Sequence, residues 1–512
     1  MCFLLYYMNK SDKSSTKLPN IIVILVDQHR SDCLHINGNS DIKTPNLDAL
    51  AREGYSYTNC FSTFPLCTPA RYSLMTGLYV RQHTGWGNRS TIPRELPTVG
   101  KILKEQGYHT DYIGKLHFSP TYADVGFEDM LLAEQEGPGR YEDDYHRELR
   151  SKGLIDFTDM QDQISELRKT ATDEYYANFG TEPTNLEYPN YSTDWIGLKA
   201  LEHIEKWDDK PQLMFVGFIK PHHPFDTPPP WRDMYNPQKL TFLPGWTDNV
   251  SDRDYAAYPG FFDMKTLTPD VHREILRQYY ASITQIDDYV GKFMDLLKKK
   301  GVYENTLVIY VSDHGEYLGH HHLELKNNYI YDPVIKVPLV VKYPIDHPAY
   351  RSVKDDENPC DPKLVSLIDV TATILNIAGI KIPDSLKENC FPLATVNRDY
   401  IYAENLNSTM IRTNKYKLIV SEKVASCMFD LQKDPYELNN LIDNPEYQDV
   451  LQELKTWLDK WEDIDDSAFE DFHPLESLAE KKGWNYEHKD QMDAAKKQMM
   501  EQYNELDNAR RK

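Results

Sequence analysis

The chain has 512 residues, more than one ordinary hydrophobic core accommodates, which predicts one large domain with a smaller one, or several domains. Lys and Arg number 57 against 80 Asp and Glu, so the formal net charge is −23. This charge argues against a nucleic-acid binder and against a protein held on anionic lipid by its overall charge. An anionic substrate would therefore need a local positive pocket. No apolar stretch of the sequence approaches the length of a membrane span.

The cysteines and the N-terminus bear on the compartment. Seven cysteines, spread thinly from Cys2 to Cys427, do not form a disulfide framework, which indicates a reducing compartment or a large protein that needs no disulfides. Residues 2–8 are apolar but lack a preceding basic region and a small-residue cleavage site, so residues 1–17 are interpreted as a disordered tail. The expectation is a cytoplasmic protein, with a periplasmic or secreted one as the alternative if the start is misassigned.

Apolar runs along the chain predict the strands of a sheet. Such unbroken, mostly β-branched runs are typical of strands covered on both faces. Between these apolar runs, capping residues or apolar residues at helical spacing predict helices at residues 45–50, 98–106 and 279–297. The repeated order of strand, polar loop and helix predicts an α/β fold with a large, mostly parallel sheet. The predicted strands are residues 21–26, 108–113, 213–219, 306–311 and 337–341.

Residues 67–71, Cys-Thr-Pro-Ala-Arg, predict the start of a helix that ends at Gly77. Pro69 suits a first helical turn, so the sulfur of Cys67 is expected at a helix N-terminus. Backbone N–H groups and the helix dipole attract an anion there, and Arg71 is a bidentate donor one turn further on. Taken alone, this pentapeptide would be interpreted as an ordinary buried thiol.

Polar side chains follow two of the predicted strands directly. Asp27 and Gln28 come after the first strand, and Asp313 and His314 come after the fourth. Ligands of open α/β sheets bind at the carboxyl ends of the strands. Carboxylate and amide oxygens favour Ca²⁺, while the imidazole leaves Mn²⁺ or Mg²⁺ as alternatives. Either pair alone is equally consistent with a surface turn.

Two further regions have distinct compositions. The acidic and aromatic stretch 119–195 is expected to decorate the scaffold, with residues 141–191 and the loop 226–246 lining the substrate side of a cleft. Beyond residue 395, short alternating segments predict a small antiparallel sheet. Residues 491–511 have the composition of an exposed terminal helix, which is a candidate contact for oligomerisation.

Five ordered motifs resemble those of type I sulfatases in the alkaline phosphatase-like superfamily. The motifs are Asp-Gln at 27–28, Cys-x-Pro-x-Arg at 67–71 with Thr-Gly at 76–77, Gly-Lys-x-His at 114–117, Lys-Pro-His-x-Pro-Phe at 220–225, and Asp-His-Gly at 313–315 followed by Lys326.

The resemblance implies the alkaline phosphatase-like fold, in which helices sandwich the sheet. A smaller C-terminal domain would be built on an antiparallel sheet and a helix. The implied organisation is the tail 1–17, a catalytic domain 18–395 and a C-terminal subdomain 396–512.

The resemblance also implies a sulfatase whose Cys67 is oxidised to formylglycine by a maturation enzyme. Asp27, Gln28, Asp313 and His314 would coordinate a divalent cation together with the converted Cys67, and Ca²⁺ is the expected ion. Many members carry Asp where this chain has Gln28 and Asn where it has His314, which keeps Mn²⁺ and Mg²⁺ as alternatives.

The catalytic roles follow from the same resemblance. Arg71, Lys115 and Lys326 would neutralise sulfate oxygens during attack by the hydrated formylglycine. His222 would donate a proton to the leaving alcohol. His117 would accept one from the remaining hydrate, so that the covalent sulfate ester collapses.

Four further histidines stand in or beside these motifs. Residues 319–322, Gly-His-His-His, depart from the usual Gly-Asp-His-Gly. His321 is the candidate substrate contact, whereas His320 and His322 are interpreted as incidental. His223 fills the variable place of its motif and is interpreted as structural or as a support for its neighbour.

The expected substrate is a small-molecule or oligosaccharide sulfate ester, most simply a sulfated carbohydrate. One alternative is a phosphonate monoester or phosphodiester hydrolase, because that group shares three of the motifs; Lys115 and His117 fit the sulfatase pattern better. A second alternative is a non-catalytic protein that keeps Cys67 as a thiol and binds sulfated glycans.

Overall fold

The computed structural model describes residues 17–135, 139–257, 260–326, 329–351, 358–462, 473–482 and 489–511. The predicted tail, residues 1–17, lies outside these ranges except for Lys17. No helix within the described ranges combines the length and the apolar character that crossing a bilayer requires.

Nine of the described strands form one sheet. Their bounds are β1 Asn20–Asp27, β2 Tyr55–Phe61, β3 His109–Gly114, β4 Asp129–Leu132, β5 Gln212–Pro221, β6 Thr306–Ser312, β7 Lys336–Val337, β8 Leu339–Lys342 and β9 Cys360–Ser366. The order is β4-β3-β5-β1-β6-β8-β2-β7, with β9 beside β2. From β4 to β6 all neighbours are parallel, whereas β8 runs antiparallel to both β6 and β2. The predicted, mostly parallel sheet is confirmed.

α-Helices connect the strands and cover both faces of the sheet. Their bounds are α1 Pro45–Arg52, α2 Cys67–Thr76, α3 Val80–His83, α4 Val99–Glu105, α5 Gly139–Glu142, α6 Asp144–Ser151, α7 Phe157–Gln163, α8 Ser165–Arg168, α9 Asp173–Ala177, α10 Ser192–Glu205, α11 Asp252–Ala256, α12 Pro269–Lys299, α13 Asp332–Ile335, α14 Ile368–Ile377, α15 Gln448–Glu462 and α16 Lys489–Arg510.

Strand β1 shows why the apolar runs are unbroken. Ile22, Ile24 and Val26 pack into a cluster with residues of α10 and α12. The alternate residues, such as Ile21 and Val23, pack with α2 and α14 on the opposite face. Successive side chains of a strand point to opposite faces, so a strand covered on both sides needs an apolar residue at every position.

The sequence did not predict the short edge strand β4, nor two longer strands that are polar or interrupted. β2 has the sequence Tyr-Ser-Tyr-Thr-Asn-Cys-Phe, and β9 contains Pro362 and the exposed Lys363. Both lie in the half of the sheet beyond β6, where pairing partners come from distant parts of the chain. The predicted strand 337–341 is divided at Pro338 into β7 and β8, because proline has no N–H to donate to a ladder.

A second sheet of four antiparallel strands confirms the prediction for the region beyond residue 395. Its strands follow one another in order, β10 Tyr400–Asn405, β11 Ser408–Thr413, β12 Tyr416–Ser421 and β13 Cys427–Asp430. A buried charge network joins this second sheet to α13, the helix that directly precedes β7 of the larger sheet. Asp332 lies 3.0 Å from the guanidinium of Arg412 and 2.8 Å from Nζ of Lys417. Burial opposes ionisation, but these two cations hold the pKa of Asp332 well below its usual value.

The terminal helix α16 is not simply exposed, because one of its faces is buried. Met499 and Tyr503 are 1% and 2% exposed and pack in a cluster with Phe157 of α7. The rings of Tyr503 and Phe157 stack with centroids 4.6 Å apart. The Tyr503 hydroxyl contacts Gln161 Oε1 at 3.2 Å. The chain terminus therefore supports the region around α7 and α8.

Replacing the buried ring tests this support. Tyr503→Ala should weaken the docking of α16 by about 3–5 kcal/mol, since it removes a stacked, buried aromatic side chain. Faster amide hydrogen exchange across residues 489–510 and 157–163 is the expected result. The matched control is Leu506→Ala on the same helix, where the side chain is 38% exposed. Equal exchange in the two variants would contradict the assignment.

Candidate active site

The sequence-predicted residues meet at the carboxyl edge of the parallel half of the sheet. Asp27 ends β1, Lys115 follows β3, His222 follows β5 and Asp313 follows β6. These four strands are consecutive neighbours in the order β3-β5-β1-β6. Parallel strands end at the same edge, so residues far apart in the chain converge there.

Four buried ligand atoms form the centre of the site. One atom each of Asp27, Cys67, Asp313 and His314 lies within 4.8 Å of the others. The Cys67 sulfur is 3.5 Å from Asp27 Oδ1 and 3.1 Å from His314 Nε2. His314 Nδ1 lies 2.9 Å from the Gly315 carbonyl and must donate to it, which leaves the Nε2 lone pair facing the centre. Burial lowers the pKa of His314 and so favours the neutral, ligating form.

The residues at this centre fit a divalent cation. Two carboxylates, one imidazole and the atom at position 67 converge at ligand spacing with no exposed surface. Gln28 reaches the same centre through Lys326, whose Nζ lies 2.7 Å from Gln28 Oε1 and 3.4 Å from the Cys67 sulfur. The amide nitrogen of Gln28 donates to the Glu316 carboxylate. Burial, and then the charge of Glu324, raise the pKa of Glu316 to about 7.

Arg71 lies beneath the centre and holds its carboxylates in place. Nε donates to Asp313 Oδ2 at 2.7 Å, and Nη2 donates to Asp27 Oδ2 at 3.2 Å. Nη1 donates to the Lys115 carbonyl. The guanidinium is fully buried and is not part of the cavity wall. Each of the three nitrogens donates to a protein acceptor, and each Nη atom carries a second N–H, so sulfate binding by Arg71 stays a prediction.

Lys115 carries the charge that most favours ionised Asp27. Its Nζ lies 2.6 Å from Asp27 Oδ2 and donates to Gln135 Oε1 at 2.9 Å. Burial alone would raise the pKa of Asp27, but Lys115, then His222 and Arg71, outweigh it and hold that pKa well below the usual value. Asp27 is accordingly a carboxylate at neutral pH.

The charge balance of the centre is positive. Two carboxylates, Asp27 and Asp313, face three basic side chains, Arg71, Lys115 and Lys326. A protein with a net charge of −23 thus has a positive pocket at this edge, as the sequence required for an anionic substrate.

Two site residues have left-handed backbone conformations that are uncommon for side-chain-bearing residues. Gln28 has φ 66° and His117 has φ 60°. Gln28 is held by Asp313, whose Oδ1 accepts from its N–H at 3.1 Å, and by the Tyr279 hydroxyl, which donates to its carbonyl at 2.6 Å. The backbone N–H of His117 donates to Glu134 Oε1 at 3.0 Å. Tertiary contacts, rather than local sequence, set these two conformations.

A pair of glycines allows β3 to deliver Lys115. A Cβ atom on Gly114 would lie 2.1 Å from the Gly217 carbonyl oxygen, and one on Gly217 would lie 2.5 Å from that of Lys115. Gly114 also has φ 101°. The close approach lets the Lys115 N–H donate to the Gly217 carbonyl at 2.7 Å, at the point where the chain turns toward Arg71.

His222 lies on the cavity wall with one nitrogen committed to the protein. Nδ1 lies 2.7 Å from the His223 carbonyl and donates to it, so Nε2 remains for a ligand. Burial first, and then the charges of Lys326 and His223, hold the pKa of His222 well below its usual value. His223 also lines the cavity, and its Nδ1 lies 2.5 Å from Asp162 Oδ2.

A cavity of about 550 Å³ opens above the buried centre. Of the two regions predicted to line it, residues 141–191 contribute to the cavity wall and the loop 226–246 does not. Residues 260–261 also line the wall. Sequence reasoning missed several wall residues, since no motif marks them and distant segments bring them together. The cavity is lined by Leu66, Asn88, Arg89, Lys115, His117, Gln135, Arg140, Tyr141, Gln163, Ile164, Ser165, Glu166, Arg168, His222, His223, Gly260, Phe261, Leu325 and Lys326.

His321 is the predicted site residue that the structure places elsewhere. Its Nδ1 contacts Asp254 Oδ2 at 3.0 Å, and its ring packs against those of His320 and Tyr331, each with centroids 4.4 Å away. The expected contact between His321 and a substrate is not found in this arrangement, because His321 is not among the residues that line the cavity. His322 also points elsewhere, toward the Thr247 carbonyl.

Comparison with known proteins gives a consistent family assignment. The family model described as Sulfatase matches residues 19–380, and that described as the C-terminal region of N-sulphoglucosamine sulphohydrolase matches residues 319–463. An arylsulfatase of Clostridium perfringens is 30% identical over 474 residues, which cover 86% of this chain and 94% of that protein.

Two solved structures share the fold. A phosphonate monoester hydrolase of Agrobacterium radiobacter has a TM-score of 0.68 at 22% identity and covers 86% of this chain and 95% of its own. A protein in complex with its substrate D-glucosamine-2-N,6-O-disulfate has a TM-score of 0.67 at 21% identity and covers 88% of this chain and 100% of its own. These likenesses confirm the predicted alkaline phosphatase-like α/β fold.

Removing the Lys115 charge tests the electrostatics of the centre. Lys115→Met should lower the free energy of unfolding by about 3–5 kcal/mol at pH 7, because Asp27 is left buried without its main counter-charge. A lowered pKa stabilises the fold above the usual aspartate range and loses that effect as pH falls, so the deficit should shrink below about pH 4.

Calorimetric unfolding between pH 3 and pH 8 in the presence of a chelator measures this deficit. Lys292→Met is the matched control, because Lys292 is 48% exposed, pairs with Asp288 one turn earlier at 2.7 Å and lies 4.5 Å from the Tyr289 ring centroid. Its effect should stay within about 0.5 kcal/mol at every pH. A Lys115→Met deficit that is constant with pH would contradict the assignment.

Proposed function

Because this chain belongs to the sulfatase family, we propose that it hydrolyses the sulfate ester of a carbohydrate, with the reaction centred on position 67. One observation carries the proposal. Cys67, at the first turn of α2, meets the buried ligand group from β1 and β6 directly beneath a cavity of about 550 Å³ with basic side chains on its wall.

The family implies a divalent cation and a formylglycine residue in general. Asp27, Gln28, Asp313 and His314 would hold the cation together with the modified Cys67, and the ion would supply Lewis-acid charge. Ca²⁺ is the proposed ion because carboxylate oxygens predominate, with Mn²⁺ or Mg²⁺ as alternatives because His314 supplies nitrogen. Conversion of Cys67 by a maturation enzyme supplies a hydrated aldehyde, whose second hydroxyl has no counterpart in a thiol.

Lys115 and Lys326 are the proposed sulfate-orienting residues. Both line the cavity, and Lys326 Nζ lies 3.4 Å from the Cys67 sulfur. Their charges would neutralise the oxygens of a sulfate ester as negative charge develops on them. Arg71 is proposed to act mainly through Asp27 and Asp313, since its guanidinium orients these two carboxylates.

His222 is the proposed proton donor to the leaving alcohol. Its Nδ1–H donates a hydrogen bond to a backbone carbonyl, so the transferable proton would be the one on Nε2, which faces the cavity. The lowered pKa of His222 favours the neutral ring before substrate binds. A bound anionic ester would raise that pKa, which couples protonation to substrate binding. His117, also on the wall, is the proposed acceptor of the second proton.

The cavity supports a sulfated sugar as the substrate class. Its volume falls within the range of small-ligand sites. The wall combines polar groups with the aromatic rings of Tyr141 and Phe261, and the Arg168 guanidinium lies 3.5 Å from the Phe261 ring centroid. The fold neighbour in complex with D-glucosamine-2-N,6-O-disulfate supports the same class.

A phosphonate monoester hydrolase is the second candidate, favoured by the likeness to the Agrobacterium radiobacter structure. Sulfate and phosphonate esters are both tetrahedral anions, so the buried centre suits either. Sulfatase chemistry ranks first because the family match spans residues 19–380. A binding protein without activity has less support, because several relatives are named sulfatases.

The role of His222 predicts a dependence on the leaving group. His222→Gln should lower kcat/KM about 10²–10³-fold for a sugar sulfate, whose alkoxide leaving group needs a proton. For 4-nitrophenyl sulfate, whose phenolate leaves readily, the loss should stay below about tenfold. His223→Gln is the matched control on the same loop and should affect both substrates equally.

Equal losses for the two substrates in His222→Gln would contradict proton donation by His222. Two parallel measurements separate the wider alternatives. Faster turnover of an aryl phosphonate than of an aryl sulfate would favour the second candidate. Mass spectrometry of the Cys67 peptide in active enzyme should show formylglycine, and an unmodified thiol there would overturn the proposed chemistry.

A further inference from the structure

We propose that the opposite edge of the sheet carries a second metal site, for a transition metal of the Zn²⁺ class, formed by His109, Asp111, Asp129 and His203. This cluster is separate from the site above, since β3 begins at His109 and delivers Lys115 only at its far end. One atom each of His109, Asp111 and Asp129 lies within 4.8 Å of the others.

The backbone brings these side chains to one face. His109 and Asp111 are two residues apart in β3, so they point to the same side of the sheet. Asp129 pairs with Asp111 across the parallel strand β4. Helix α10 packs against β3 and supplies His203 near its C-terminal end.

The strongest single observation is a buried carboxylate oxygen aimed into the cluster. Asp111 is only 2% exposed, and its Oδ1 has no hydrogen-bond partner among the described residues. This oxygen lies 3.4 Å from His109 Nε2 and 3.4 Å from His203 Nδ1. A buried, unpartnered carboxylate oxygen is costly, and a cation between these atoms would satisfy it.

Three of the donor-to-donor distances match tetrahedral coordination, with His203 joined to the group through Asp111 alone. Bonds of about 2.0–2.1 Å to nitrogen and oxygen give ligand-to-ligand distances of about 3.4 Å in a tetrahedron. Besides the two distances from Asp111, His109 Nε2 lies 3.3 Å from Asp129 Oδ2. Two imidazoles with two carboxylates favour Zn²⁺ and its neighbours Co²⁺ and Ni²⁺ over Ca²⁺ or Mg²⁺.

A further carboxylate orients the ligating ring of His109. Glu128 Oε2 lies 3.3 Å from His109 Nδ1, on the side of the ring away from Asp111. Carboxylates commonly hold metal-binding imidazoles in this way and leave the opposite nitrogen for the ion. The ordinary ion-pair interpretation would instead require a protonated His109 shared among three acidic residues.

The ion has an entry path from solvent. Asp129 is 59% exposed in its side chain, and the cluster opens on a cavity of about 510 Å³. Lys206 and Lys210 also line this cavity and oppose cation binding, so we expect moderate rather than very tight affinity. A bound ion would tie the edge strand β4, its neighbour β3 and helix α10 together, which stabilises this end of the sheet.

The test uses the full chain, stripped with a chelator and resupplied with excess Ca²⁺ for the first site. Zn²⁺ is then added, unbound metal is removed, and the bound zinc is counted by elemental mass spectrometry. Wild type should retain one equivalent of Zn²⁺ that His109→Gln/His203→Gln lacks. The matched control is His35→Gln/His473→Gln, whose side chains are 53% and 54% exposed, and it should keep the equivalent.

Two further readouts keep the result independent of the first site and of folding. Asp313→Asn removes a ligand of the first site and should still retain the zinc equivalent. Co²⁺ in place of Zn²⁺ should give intense tetrahedral visible absorption in wild type and none in the double variant. Equal zinc in wild type and double variant, or loss of zinc in Asp313→Asn, would overturn the proposal and leave the cluster as ion pairs.

Discussion

The pair of contacts from Arg71 to Asp27 and Asp313 is the interaction on which the site depends. Asp27 ends β1, Asp313 follows β6, and Arg71 comes from α2, so one guanidinium fixes three elements that meet only in the folded protein. Without it, the buried Asp313 would lose its direct counter-charge and Asp27 would keep only that of Lys115, at a cost of several kcal/mol. The same contacts turn both carboxylates toward position 67. Buried ion pairs are weak stabilisers, so this arrangement is better explained by the geometry it imposes on ligands than by stability.

The local charge of the site contrasts with that of the whole protein. Three cations outnumber two carboxylates within a chain of net charge −23, and the basic side chains lie where a tetrahedral anion would enter. This arrangement also sets the state of His222, whose pKa is lowered by burial and by Lys326. An anionic ester would reverse the second of these effects, so the proposed proton donor would become charged when the ester binds.

Much of this centre was predictable from sequence, because its key residues stand at the ends of apolar runs. Asp27 and Asp313 follow strands buried on both faces, and parallel strands bring such ends together. The remainder depends on tertiary contacts. The left-handed conformation of Gln28 is imposed by Asp313 and Tyr279, and His321 contacts Asp254, which is distant from it in sequence, instead of lining the cavity. β2 was missed since its polar residues lack the apolar pattern, and Phe261 since no local signal marks a cavity wall.

Anomalous diffraction from Mn²⁺-soaked crystals of the mature, active protein should show a metal peak within ligand distance of Asp27, Asp313 and His314. Residue 67 should carry oxygen density rather than sulfur. An active enzyme whose crystals show no metal at that position, or an intact thiol on residue 67, would contradict this prediction.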